Sequence, residues 1–206
     1  MNVYIEYSNR QYEQMFKNQG FTVVGSVDEA DVVQFTGGSD VIPSLYGQAS
    51  HPYTHSDPAR DDREVELFWY CLGNDIPMLG ICRGAQFLNV MSGGSMKQHV
   101  DGHATGSLHL MVDVNSGEML SVTSTHHQMM IPGDLGTVLA VASESTFFEI
   151  MTYEGVQRKQ SNRGDDIEAV WYPDTECLCY QPHPEYLEKG HPCQEYYFDL
   201  INEFIS

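Results

Sequence analysis

Residues 80–84 read Gly-Ile-Cys-Arg-Gly, one cysteine with a glycine two positions before it and another two positions after. The cysteine falls where the apolar run Pro77–Ile81 gives way to a helical pattern over Arg83–Met91. A strand that turns sharply into a helix holds the corner residue in a strained conformation with its side chain pointing out of the sheet. Neighbouring chain crowds that corner, so the flanking positions tolerate little beyond glycine. The helix start also presents free N–H groups and the positive end of its dipole to an anion. Cys82 is therefore the candidate nucleophile, and the N–H of Arg83 is a candidate donor to an oxyanion.

A cysteine nucleophile needs a base and a group that orients the base. Near the C-terminus, residues 181–186 read Gln-Pro-His-Pro-Glu-Tyr. In an extended segment, positions i and i+2 project to the same side, so His183 and Glu185 point into one site while the two prolines stiffen the spacing. With Cys82 they supply the parts of a Cys-His-Glu triad. A second oxyanion donor is expected at Gly38, in Phe35-Thr-Gly-Gly-Ser-Asp40, because parallel neighbouring strands end at the same sheet edge. Gln86 lies one helical turn beyond Cys82 on the same face. The Arg83 side chain, a cation opposed by the helix dipole, calls for a carboxylate partner. Asp61 and Glu64 are the favoured internal pair; a substrate carboxylate is the alternative.

The elements that must position these groups follow from the apolar patterning. Residues 2–7, 21–25, 30–38 and 77–81 read as strands, and 8–20, 57–75 and 83–91 as helices. That order predicts an α/β fold with a central, mostly parallel sheet flanked by helices on both faces. The second half is β-rich, with candidate strands at 107–114, 118–125, 136–143, 147–155 and 167–173, and a final helix over 192–205. Cys177 and Cys179 alternate on a strand and are expected to be buried on one face. Cys71 and Cys193 are expected as helix packing residues. No repeat, low-complexity tract or linker interrupts the chain, and residues 1–206 are expected to form one domain.

The motifs together resemble the class I glutamine amidotransferase-like superfamily, within it the γ-glutamyl hydrolase branch, whose domain is flavodoxin-like. The matching pieces are TGGSDVIPSLYG, RDDREVELF, PMLGICRGAQFLNVMSGG, STHHQ and QPHPEY, in family order and spanning most of residues 36–186. The resemblance implies thioester chemistry on a glutamyl side-chain amide, with Cys82 as nucleophile, His183 as base and acid, and Glu185 orienting the histidine. It also implies substrate contacts from Gln86, His126 and His127. The chain departs from the family at Thr36, where proline is usual, at Pro182, where phenylalanine is usual, and in a short stretch before STHHQ. These positions bear on pocket walls and specificity more than on the triad. Two activities share this chemistry: hydrolysis of a γ-glutamyl compound, and release of ammonia from glutamine for a separate ligase or synthetase. The hydrolase is favoured, because GICRG carries an arginine that the elbow of the ammonia donors usually lacks.

Charge and composition narrow the partners. Ten basic against 29 acidic residues give a formal net charge of −19, which repels phosphate backbones and anionic membranes, so neither nucleic acid nor membrane is an expected partner. The N-terminus shows no basic region followed by an apolar run, and the five cysteines have no framework spacing, so a reducing cytoplasmic setting is expected. His99, His103, His109, His126 and His127 crowd one stretch and raise the question of zinc. The His99-x-x-x-His103 spacing suits a helix, yet Gly102 and the strand-like surroundings do not, so no metal and no cofactor is expected.

Overall fold

The structure is a computed structural model describing residues 1–205. Its first half alternates β1 (Asn2–Glu6), α1 (Arg10–Asn18), β2 (Thr22–Val24), β3 (Val32–Phe35), α2 (Pro58–Gly73), β4 (Met78–Ile81) and α3 (Arg83–Met91). Side chains cap the helices where the sequence changes character. Asn9 accepts hydrogen bonds from the N–H groups of Gln11 and Tyr12, and Asp57 accepts from Ala59 and Arg60 just ahead of α2. The second half adds β5 (Ser95–Lys97), β6 (His99–Val100), β7 (Leu108–Asp113), β8 (Met119–Thr123), β9 (Met129–Ile131), β10 (Thr137–Ala142), β11 (Phe147–Thr152), β12 (Gly155–Gln160), β13 (Ile167–Tyr172) and β14 (Cys177–Tyr180). Helix α4 (Pro192–Phe204) follows.

The large sheet runs β2-β1-β3-β4-β14-β13-β10-β7-β8, with β9 on β13 and β5 on β9. From β2 to β14 every pairing is parallel, and from β14 onward every pairing is antiparallel. Strands β3, β4 and β14 are buried throughout, as strands covered on both faces must be, which is why they read as apolar runs, interrupted in β3 only by the hydrogen-bonded Gln34. One face packs on α1 and α4 through Tyr12, Phe16, Tyr197 and Ile201. The other packs on α2 and α3 through Phe68, Cys71, Phe87 and Leu88. Cys177 and Cys179 both join that second face, and Cys71 and Cys193 pack on their helices.

Register sets up the site. Phe35 lies opposite Gly80, and Tyr180 opposite Ile81. The turn after β3, the corner after β4 and the segment after β14 therefore leave the sheet side by side. Four strands were not anticipated: β5, β6 and β9 are two or three residues long, and β12 has no apolar alternation because most of it is exposed. β12 belongs to a separate small sheet of order β12-β11-β6. Among the described residues no helix is long and apolar enough to cross a membrane.

Candidate active site

Cys82 sits at the junction of β4 and α3 with φ 52° and ψ −110°, in the left-handed half of backbone space that a non-glycine residue rarely adopts. The crowding expected of its flanks is present. A Cβ on Gly80 would lie 2.5 Å from the backbone nitrogen of Ala85, and one on Gly84 would lie 2.5 Å from the carbonyl carbon of Phe35. The Cys82 N–H donates to the Tyr180 carbonyl at 2.9 Å, which pins the corner to the neighbouring strand. The cysteine is 7% exposed and lines a cleft of about 210 Å³ with Gly38, Asp40, Arg83, Gln86, His126 and His127.

His183 and Glu185 meet, though the local geometry differs from the expected strand alternation. β14 ends at Tyr180, and Pro184–Tyr186 form a 3₁₀ turn that brings His183 Nδ1 to 2.5 Å from Glu185 Oε1. The proline that stiffens the triplet also starts this turn, since its fixed φ suits a first helical position. The residue is held from three further sides. Its backbone N–H donates to Thr123 Oγ1 at 2.6 Å, Tyr186 stacks on its ring at 4.4 Å, and Gly37 packs against the ring edge so closely that a Cβ there would lie 2.6 Å from Cε1. Burial alone would lower the His183 pKa. The charge and hydrogen bond of Cys82, then those of Glu185, outweigh burial and raise it above the ordinary imidazole value.

The Gly37–Gly38 turn is tied down by residues that sequence reasoning did not single out. The Gly37 N–H donates to the Tyr12 hydroxyl at 2.9 Å, and Gly38 lines the cleft. Gly38 has φ 150°, and a Cβ there would collide with the Arg60 guanidinium. Arg60 in turn donates to the carbonyls of Thr36 and Gly37 at 2.8 and 3.0 Å, and to Glu64 at 2.8 Å. Burial, with the charge of Glu185, holds the Tyr12 phenol well above its usual pKa, so it remains a neutral hydroxyl. A helical Arg60–Glu64 spacing was visible in the sequence, but nothing in it pointed Arg60 at a turn more than 20 residues upstream.

The Arg83 side chain turns away from the cleft. It is 1% exposed and ion-paired with Asp61 and Glu64, the internal pair expected for it, with its guanidinium over the Phe87 ring. Burial and the nearby Arg60 charge lower its pKa to about 10, against the opposing pull of Asp61. Its backbone N–H stays at the start of α3. Gln86 donates to the Gln128 carbonyl and to Gln181 Oε1, both at 3.1 Å, which fixes its amide at the cleft wall. His127 reaches Asp40 at 3.0 Å. His126 lines the cleft but its imidazole is buried behind the wall, with Nδ1 at 3.0 Å from the Gln128 carbonyl. Burial lowers its pKa to about 3, so that ring is neutral.

A parallel core with antiparallel strands on one flank, helices on both faces and a strained cysteine between two crowded glycines define an α/β protein of the class I glutamine amidotransferase-like fold. The chain belongs to the Peptidase C26 family, whose pattern matches residues 16–185. Rv2859c of Mycobacterium tuberculosis, named provisionally as a glutamine amidotransferase, is 36% identical over 182 residues, covering 79% of this chain and 53% of that one. The chain thus spans about half the length of that relative. The glutamine amidotransferase-like protein YvdE of Lactococcus lactis is 28% identical over 201 residues, covering 82% and 81%. Among solved structures, PurLQS from Thermotoga maritima superposes with a TM-score of 0.66 at 16% identity, covering 100% of this chain and 98% of that one.

Proposed function

We propose that the protein hydrolyses γ-glutamyl amide bonds through a γ-glutamyl thioester on Cys82. The observation that carries this reading is the convergence of the strained Cys82 corner, the His183–Glu185 pair and the Gly38 turn at one sheet edge. In the first half-reaction the Cys82 sulfur attacks the side-chain carbonyl carbon and His183 takes the thiol proton. The resulting oxyanion faces the N–H groups of Gly38 and Arg83. His183 then gives its proton to the leaving amine as the C–N bond breaks. In the second half-reaction water attacks the thioester, His183 accepts a proton from it, and the sulfur leaves with that proton as free glutamate forms. Glu185 holds the imidazole in the tautomer that faces the sulfur and stabilises the imidazolium. In this reading Gln86 and His127 hold the glutamyl head group, and the backbone at His126 completes that wall.

The leaving group is proposed to be an amine or amino acid larger than ammonia, with no second protein required. The test is kcat/KM of the purified chain on free glutamine and on several γ-glutamyl amines. The γ-glutamyl amines are expected to be cleaved faster by about tenfold or more, a difference of about 1.4 kcal/mol in transition-state binding. Weak activity on every compound, rising sharply on glutamine when a ligase is supplied, would make the chain an ammonia-donating subunit instead.

A further inference from the structure

Four side chains, His109 partly exposed and the others buried, come together from four separate segments. His103 follows β6, His109 lies on β7, His126 sits between β8 and β9, and Glu168 is on β13. One donor atom each from His103, His109 and Glu168 lie within 4.8 Å of one another. About Glu168 Oε1, His109 Nε2 stands at 2.9 Å, His103 Nδ1 at 3.6 Å and His126 Nε2 at 3.9 Å. A tetrahedral ion with bonds of about 2.0–2.1 Å keeps its donor atoms about 3.4 Å apart, in the middle of that range.

Hydrogen bonding alone does not account for the group. Glu168 takes one bond, from His109, while both nitrogens of His103, Nε2 of His126 and Oε2 of Glu168 are buried with no partner. His103 and His126 are each 3% exposed and Glu168 is 0%. Unpaired polar atoms at that depth are rare, and four around one point require an explanation. His126 Nδ1 is occupied by the Gln128 carbonyl at 3.0 Å, which leaves Nε2 as its free donor. His103 Nε2 stands 3.9 Å from Asp166 Oδ2, which leaves Nδ1 facing the group.

The geometry points to a zinc site formed by His103, His109 and Glu168, with His126 Nε2 beside it. Two imidazoles and one carboxylate suit zinc better than magnesium or calcium, which take oxygen ligands. Three protein ligands leave the fourth position of a tetrahedral ion open. An adjoining cleft of about 280 Å³, lined by His103, His109 and Glu144, gives it an entry path. Spacing along the sequence does not reveal such a site, because the ligands come from separate strands and turns and share no local motif. The site also bears on the active cleft. The Gln128 carbonyl meets both Gln86 and His126, the histidine beside the ion, so the site abuts the wall that carries Gln86. None of this depends on the γ-glutamyl reading.

The test uses the full chain as Cys82→Ala, so that the cleft thiol does not compete, freed of metal with a chelator and titrated with Co²⁺ and then Zn²⁺. One equivalent of Co²⁺ per chain, with the intense visible bands of a four-coordinate ion and displacement by Zn²⁺, is expected. His109→Gln, the ligand closest to solvent, should weaken Zn²⁺ binding by more than the about 10–100-fold that outer-shell changes cost. A weak, six-coordinate Co²⁺ spectrum or no binding overturns the site, as does unchanged Zn²⁺ affinity in His109→Gln. Binding seen in the wild type and lost in Cys82→Ala overturns it too, since the ion then sits on the thiol. Should His109→Gln fail to fold, the Co²⁺ spectrum of Cys82→Ala decides alone.

Discussion

Glu185 meets His183 through a single oxygen at 2.5 Å, while its other oxygen is buried with no hydrogen-bond partner. That makes it a clear point at which to test the base. Glu185→Gln keeps a hydrogen-bonding group beside Nδ1 but removes a negative charge that helps raise the His183 pKa. The sign follows directly. A raised imidazole pKa favours the folded protein below the unfolded value near 6.5, and that advantage fades as pH rises through the folded value. In Glu185→Gln the His183 ring, followed by its NMR shifts, should therefore titrate at lower pH than in the wild type. kcat should fall by up to about 10⁴-fold, the loss when a triad carboxylate becomes an amide, with KM little changed. An unmoved titration midpoint with unchanged kcat would remove Glu185 from the orienting role. At this scale the sequence was informative where chemistry imposes spacing, as at Cys82 and between His183 and Glu185. It was silent where contacts are made across the fold. Tyr12 and Arg60 grip the glycine turn from other elements, and no local pattern marks them.

At the scale of elements, the site exists because three chain segments leave one sheet edge in register. The corner tolerates no added atoms: a Cβ on Gly84 meets the backbone of Phe35, which cannot rotate away as a side chain can. Gly84→Ala should destabilise the fold by about 1–3 kcal/mol, the usual cost of overpacking, and should lower activity as well. Gly25→Ala is the control, since a Cβ there meets nothing within 4 Å and its φ is ordinary. It should be neutral or stabilising by up to about 1 kcal/mol. Urea midpoints at matched m-values separate the two, and equal midpoints would mean the corner is not tightly packed. The parallel half was legible because buried strands and capped amphipathic helices carry strong periodicity. The short strands β5, β6 and β9 were not, because two or three residues hold no period. The 3₁₀ turn at Pro184–Tyr186 was missed for a related reason: alternating prolines suit an extended segment and a helical start equally well.

For the molecule as a whole, a formal charge of −19 sets a field that draws cationic compounds toward the surface and repels anionic ones. A γ-glutamyl-linked diamine, cationic at its far end, should be favoured over one with a neutral leaving group. The preference should shrink as salt shortens the Debye length from about 30 Å at 0.01 M to about 10 Å at 0.1 M. Steady-state kcat/KM on matched substrates across that range is the measurement. A salt-independent ratio would mean that the net charge plays no part in substrate choice.

Thioester catalysis turns on one covalent bond. A γ-glutamyl substrate should be mixed with enzyme, quenched in acid within the first turnovers, and the protein examined by intact mass and peptide mapping. A mass increase of one γ-glutamyl group, confined to the peptide carrying Cys82 and absent from Cys82→Ser, is the predicted result. The same increase on Cys71, Cys177, Cys179 or Cys193, or turnover by Cys82→Ala at the wild-type rate, would contradict it.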